Sequence, residues 1–473
     1  MEQGNASATL NPNSLGLKSG ALSAGETLTQ SIALIAPTGA PVMAVPLVFG
    51  LAGEGCALAF LISTITILLV GLNVNQFARF SASPGSLYSY VADHLHPRWG
   101  ILAGWALLIA YVATGAAVSA GLANYANVIL RDRFGLEVLP VFLIGAAVAT
   151  SCWLAYRDVQ LSARLMLWLE VASVAVISVI AVGIIIRNGW RLDTPQFTLR
   201  GVTPEKLRLG LVLAIFSLVG FESATSLGSE ARDPLTSIPR AVTWSAILAG
   251  LFFVLCAYSE VLGFRGEALP LDKSLAPFHV LAQKAGLPAF VGTLTDLGAV
   301  LSFFSCVLAC ITAAARVLFL MGRNGALHSV FGEAHAENQT PHRAVVITSV
   351  AAFVPAGILT LRGVGLFDVY GLLGTLATFG FITAYLLVSV AAPVYLRSRG
   401  RLTSSAVAIS VVAATAMAAA LLGNLYPIPP APYSSLPYLY GGLLVAGFVW
   451  STIRGARQIS DQTASSLPFG SAK

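Results

Sequence analysis

The stretch Ile35-Ala36-Pro37-Thr38-Gly39-Ala40-Pro41 interrupts the first long apolar run of the chain, and Phe216-Ser217-Leu218-Val219-Gly220-Phe221-Glu222 interrupts another in its second half. Prolines, glycines and a carboxylate do not belong inside an ordinary membrane span. A continuous helix satisfies its own backbone, and hydrocarbon cannot replace a missing hydrogen bond. A helix broken at membrane depth is tolerated only where protein or a watery cavity supplies partners. Paired breaks at matching places in two halves of a chain therefore point to a solute site at the bilayer midplane.

The rest of the chain suits that setting. Of 473 residues, 56% are hydrophobic and only 10% charged, against about 25% charged in a soluble protein. Mean hydropathy is +0.80. The net charge of +6 comes from Lys and Arg scattered between apolar runs, a topology signal with no nucleic-acid footprint. Cys56, Cys152, Cys256, Cys306 and Cys310 lie in or beside apolar runs, with neither a disulfide framework nor a CxxC pair, and read as small core residues. Residues 1–20 are polar and lack the basic start and apolar core of a cleavable leader, so they are expected to form a flexible tail, as are residues 458–473.

Twelve stretches approach the roughly 20 apolar residues a span needs. They centre on Ser31–Leu51, Gly55–Gln76, Gly100–Leu130, Val138–Tyr156, Leu165–Ile186, Leu209–Ser229, Ala241–Ser259, Leu287–Leu320, Ala344–Leu361, Val369–Leu396, Thr403–Leu422 and Tyr438–Ile453. The third, eighth and tenth are long enough to tilt or project beyond the bilayer. With both termini cytoplasmic, sixteen of the 27 basic residues fall inside, among them Arg79, Arg240, Arg316, Arg397 and Arg399. The expected organisation is one all-α membrane domain over residues 25–457. The irregular first and sixth spans suit two five-helix repeats of opposite topology, over about 28–187 and 205–397, with two trailing helices over about 402–456.

The loops are more specific. Ser83-Pro84-Gly85-Ser86-Leu87-Tyr88-Ser89-Tyr90 resembles the Pro-x-x-Gly-Gly-x-Tyr-x-Tyr signature of the amino acid–polyamine–organocation (APC) superfamily of permeases. Phe216 to Glu222, followed by Glu230-Ala231-Arg232-Asp233-Pro234 and Ile238-Pro239-Arg240-Ala241, is similar to that family's sixth span and its flank. Ala315-Arg316, Met321-Gly322-Arg323-Asn324-Gly325 and Thr340-Pro341 match a third region. In this order, from about Ser31 to Arg399, the short motifs become specific together. The resemblance implies a leucine-transporter-type fold with alternating access, carrying amino acids or related amines across the plasma membrane. It departs from the family where Gly-x-Gly is usual in the first break and only Gly39 remains, and where Ser173 stands at a position many relatives fill with a lysine.

Residue chemistry adds a site to that frame. A half-helix starting near Thr38, Gly39, Ala40 and Pro41 would present free N–H groups and a positive dipole end to a carboxylate. Freed carbonyls near Ala36, Phe216 and Ser217 would accept from an ammonium group. Val219 and Gly220 belong to the same cavity, and Tyr111 in the third span is a further candidate for its wall. Glu170 lies about one turn inside the fifth span, three residues before Ser173 and on the same face. It reads either as a proton- or cation-binding carboxylate or as a partner of Arg164. Ser302 and Ser305, also three apart, offer hydroxyls suited to a hard cation.

Glu222, Asp233 and Arg240 read as gate or structural ion pairs, and Asn73, Asn75 and Gln76 as caps of the second span. The histidines read as solvated loop residues without metal-site spacing. No GxxxxGK[ST] loop, nucleophile elbow or acidic-histidine cluster marks a pump or an enzyme. The expected partners are an amino acid or amine substrate, a proton or sodium as coupling ion, and membrane lipid. The chain is expected to act as a monomer or homodimer with no cofactor or metal. Uptake, exchange and export stay open, as does a polyamine carrier, which would want an acidic group in the pocket.

Overall fold

The structure is a computed structural model and describes Leu17 and residues 20–157, 161–198 and 201–465. The chain is built of helices: α1 (Ala24–Ile35), α2 (Gly39–Ala52), α3 (Cys56–Ala78), α4 (Leu87–His94), α5 (Pro97–Phe134), α6 (Pro140–Arg157), α7 (Leu161–Arg187) and α8 (Thr194–Thr198). The second half continues with α9 (Pro204–Leu218), α10 (Pro234–Gly263), α11 (Pro277–Lys284), α12 (Ala289–Arg323), α13 (His342–Leu361), α14 (Leu366–Ser398), α15 (Ser404–Gly423) and α16 (Leu436–Ser465). Eleven helical stretches among the described residues are long and apolar enough to cross a membrane, the first of them, Ala24–Ala78, running through α1, α2 and α3. Three short helices, α4, α8 and α11, lie in the connections between the long ones. The last helix continues to Ser465, past the expected start of a tail at 458.

The first break has a local cause. Pro37 has no N–H for the carbonyl of Ala33, and its ring disfavours the α conformation for the residue before it. Ala36 leaves the right-handed helix for a left-handed conformation, φ 50° and ψ 65°, and α1 stops. Such a turn costs an alanine about 1–2 kcal/mol, so surrounding contacts must hold it. The Cys306 thiol donates to the freed carbonyl of Leu34 at 3.0 Å. Further on, Pro46 inside α2 releases the carbonyl of Val42, which accepts from the Tyr125 hydroxyl at 3.0 Å.

The second break rests on glycine. After α9, Val219 is extended and Gly220 has φ +94°, a region side chains avoid. A Cβ at Gly220 would also collide with Leu34, so α1 lies directly against this turn. One 3-10 turn, Ser223–Leu227, follows. The two breaks satisfy each other: Ser31 on α1 donates to the Phe221 carbonyl at 2.8 Å and accepts from the Ala224 N–H at 3.1 Å, while Ser223 donates to the Gln30 carbonyl at 3.2 Å. The half-helices α2 and α9 pack together on one side of the breaks, α1 and the 3-10 turn on the other.

Long helices frame this pair. α5, α12 and α14 have 38, 35 and 33 residues. At about 1.5 Å per residue each exceeds a hydrocarbon core of about 30 Å. Asn73 and Asn75 do not cap α3. Asn73 is buried and bridges α3 to α14 and α15 through Ser389 at 3.3 Å and Ser410 at 2.8 Å, and Asn75 reaches Thr243 of α10 at 2.8 Å. In lipid an amide gains from facing a neighbouring helix, so it bridges instead of capping.

Polar ties also close both ends of the bundle. Beyond the end of α10, Arg265 pairs with Asp193 at 2.6 Å and Glu54 at 2.7 Å. The hydrogen bonds of those two carboxylates raise its pKa above the usual arginine value. At the opposite end, Arg316 of α12 forms a buried ion pair with Glu230, whose backbone also pairs with Leu22 ahead of α1.

Candidate functional site

The start of α2 is occupied in this structure. Glu170 of α7 accepts on Oε1 from the Thr38 N–H at 2.7 Å and from the Ser302 hydroxyl at 2.8 Å. Ser302 in turn accepts from the Gly39 N–H at 3.3 Å, and the Ala40 N–H returns to the Ala36 carbonyl at 2.9 Å. Pro41 has no N–H. None of the donors expected to be free for a substrate carboxylate is free: the Thr38 N–H is held by a carboxylate of the protein itself, the Gly39 N–H by a hydroxyl and the Ala40 N–H by a backbone carbonyl. A helix N-terminus carries about half a positive charge, and Glu170 sits where an anion gains most from it.

Glu170 is buried in the packed bundle, 6% exposed, and the side chain of Arg164 lies outside the described residues. Ser173 shares its face: the oxygen of Ser173 lies 2.5 Å from where a Cβ of Gly298 would stand, and Thr38 borders the same spot. Ser305 spends its hydroxyl on the Leu301 carbonyl of its own helix at 3.0 Å. Of the four coupling candidates, the fold thus brings Glu170, Ser173 and Ser302 to the first break, while Ser305 is bonded within α12.

The second break is closed by a different carboxylate. Glu222 is fully buried, accepting on Oε1 from the Tyr111 hydroxyl at 2.9 Å and on Oε2 from Tyr385 at 2.6 Å and the Gly220 N–H at 3.1 Å. Its partners are therefore hydroxyls and a backbone N–H, not the arginine of the ion pairs expected among Glu222, Asp233 and Arg240. The turn at Gly220 directs its side chain inward, where phenols are the donors within reach, while Arg240 stays exposed. Tyr111 meets the site through Glu222, with its ring edge-on to Phe381.

A second aromatic layer lies farther along the same helices. Tyr370 contacts both Phe216 and Phe303, and Phe303 contacts Tyr125. Tyr111 and Tyr125 are about four turns and 21 Å apart on α5, and Tyr385 and Tyr370 mark the same two levels on α14. The breaks lie between these layers. Ala36 is 3% exposed, Phe216 4% and Val219 1%, so the centre is closed to both faces. Tyr385, Tyr125, Phe303 and Tyr370 escaped the sequence reading because aromatics in long apolar helices look like ordinary packing.

His279 pairs with Asp296 at 3.3 Å, and His94 is half-buried against Phe77 and Tyr395. Neither is the solvated loop residue expected. Burial, aided by the nearby Arg399, lowers the pKa of His94.

Comparison with known proteins gives a consistent result. A family model described as amino acid permease matches residues 27–449. The chain is 23% identical over 361 residues to the branched-chain amino acid permease BcaP of Bacillus subtilis (strain 168), an alignment spanning 72% of this chain and 73% of that one. It is 24% identical over 349 residues to the low-affinity putrescine importer PlaP of Escherichia coli (strain K12), spanning 71% and 74%. To a methylthioribose transporter of Bacillus subtilis (strain 168) it is 24% identical over 358 residues, spanning 72% and 73%. The cargoes in these names differ in charge and class, so similarity at this level does not select one.

Proposed function

The chain belongs to the amino acid permease family of the APC superfamily, and from that premise we propose that it is a secondary active transporter of amino acids or their derivatives, driven by protons. Its working unit in this reading is a twelve-span bundle of two inverted five-helix repeats plus two trailing helices, with the substrate between the breaks at Ala36–Pro41 and Phe216–Gly220. The tyrosine–glutamate layer and the Phe303–Tyr370 layer open in turn, giving alternating access.

Glu170 on the Thr38 N–H, at the cap of α2, is the observation that carries the coupling. A charged Glu170 and a substrate carboxylate compete for one helix end, and like charges side by side disfavour each other. Substrate entry therefore favours proton uptake by Glu170, which releases the Thr38 N–H to the substrate. Proton and substrate then travel together. The sodium alternative would use Ser302 and Ser305, yet the first already serves Glu170 and the second its own backbone.

The direct test is uptake by purified protein in liposomes against radiolabelled neutral and cationic amino acids and putrescine, under an imposed pH or sodium gradient. Amino acid accumulation driven by an inward proton gradient is the expected result. Sodium-dependent uptake, or uptake of putrescine alone, would overturn the reading. Val219→Phe should shift the accepted substrates towards smaller ones in the same panel.

The topology has its own test in a background without native cysteines. Single cysteines at Ser14 and Arg399 should be protected from impermeant thiol reagents in intact cells, and one at Pro270 should be labelled. The reverse pattern would invert the arrangement and with it the sidedness of both gates.

A further inference from the structure

Arg240 belongs to a motif that neither the gates nor the central site use. It lines an open groove of about 420 Å³ with Arg79, Leu235, Thr236, Pro239, Thr243 and Trp244, where α3 ends and α10 begins. Both guanidinium groups are exposed and have no ion-pair or hydrogen-bond partner among the described residues. Asp233, just ahead of α10, does not line the groove.

Each arginine stands at the foot of an apolar ridge. On α10, Arg240 is followed on one face by Trp244, Leu248 and Leu251, exposed by 54%, 55% and 64%. On α3, Leu61, Ile65 and Leu72, exposed by 43%, 52% and 42%, lead along one face to Arg79. The two helices pack against each other, so two lipid-facing stripes converge on two cations. Tryptophan is the side chain that favours the headgroup level of a bilayer.

From this we infer that the groove binds one anionic glycerophospholipid. Its phosphate lies between Arg79 and Arg240, and its acyl chains run along the α3 and α10 ridges. Guanidinium forks match phosphate oxygens and are weakly hydrated, which suits the boundary between water and hydrocarbon. The apolar stripes explain why a lipid, and not a soluble phosphate, is the occupant.

The test uses the full-length protein purified in detergent and stripped of lipid. Phosphatidylglycerol should remain bound in native mass spectra and raise the melting temperature, whereas phosphatidylcholine with the same acyl chains, glycerol 3-phosphate and inorganic phosphate should not. Arg79→Gln and Arg240→Gln should each weaken phosphatidylglycerol binding about five-fold, while Arg362→Gln, exposed at the far end of α13, should leave it unchanged. Phosphatidylglycerol brominated near the headgroup should quench tryptophan emission, and Trp244→Phe should remove that quenching. Should the double arginine variant fail to fold, the single variants and the Trp244 quenching carry the test. Equal binding by the arginine variants, equal stabilisation by phosphatidylcholine, or an equal effect of glycerol 3-phosphate or inorganic phosphate would each overturn the inference.

Discussion

Glu170→Gln is expected to keep substrate exchange and to lose all accumulation driven by a pH gradient. The amide oxygen of glutamine can still accept from the Thr38 N–H and the Ser302 hydroxyl, which Glu170 holds at 2.7 and 2.8 Å. The geometry of the break should therefore survive, while the group that takes up and releases a proton is gone. A difference of one pH unit corresponds to about 1.4 kcal/mol per proton, so a carrier coupled one-to-one concentrates its substrate about tenfold. In the variant that ratio should fall to about one, measured as counterflow against net uptake in the same liposomes. Ser302→Ala removes one donor to Glu170 and leaves the Gly39 N–H buried without a partner, at a cost of about 1–3 kcal/mol. It should weaken substrate binding without removing the response to pH. Wild-type accumulation by Glu170→Gln would reduce this carboxylate to a structural cap of α2.

Gly39→Val should abolish substrate binding while the protein still folds and inserts. A Cβ at Gly39 would stand 2.5 Å from Cε1 and 2.8 Å from Cδ1 of Phe303. That ring cannot step back freely. It also lies 2.9 Å from where a Cβ of Gly121 would be, and it is in contact with Tyr125 and Tyr370. Overpacking of this kind costs about 1–3 kcal/mol, within what a bundle of this size can absorb. The displacement falls on the start of α2 and on the Phe303–Tyr370 layer together, so both the carboxylate-binding end and one gate are disturbed. Gly39→Ala should show an intermediate loss. Binding of the substrate identified in the liposome panel, followed by its thermal stabilisation of the purified variants, measures both. Stabilisation equal to wild type in Gly39→Val would place the substrate elsewhere.

Hydropathy alone made the chain a membrane protein, because about 20 consecutive apolar residues have few other uses. The spans it marks fall on helices in the structure, the first and sixth of them broken and the last continuing well beyond its expected end. The break at Ala36 was legible because Pro37 acts on its own neighbours, and the one at Gly220 because glycine tolerates a positive φ there. The ordered loop motifs made the family legible as well. Hydrogen-bond partners were not. Glu170 meets Thr38 across 132 positions, Glu222 turns towards Tyr111 and Tyr385 in place of a cation, and Asn73 joins three helices where a cap was expected. Hydrophobic period, proline and glycine act through the backbone within one turn, so sequence carries them. Within a bilayer, where water cannot serve as the default partner, a buried polar group bonds whatever the packed helices bring within about 3 Å. That choice belongs to the tertiary structure, and here it decided that the carboxylate at the start of α2 is the protein's own.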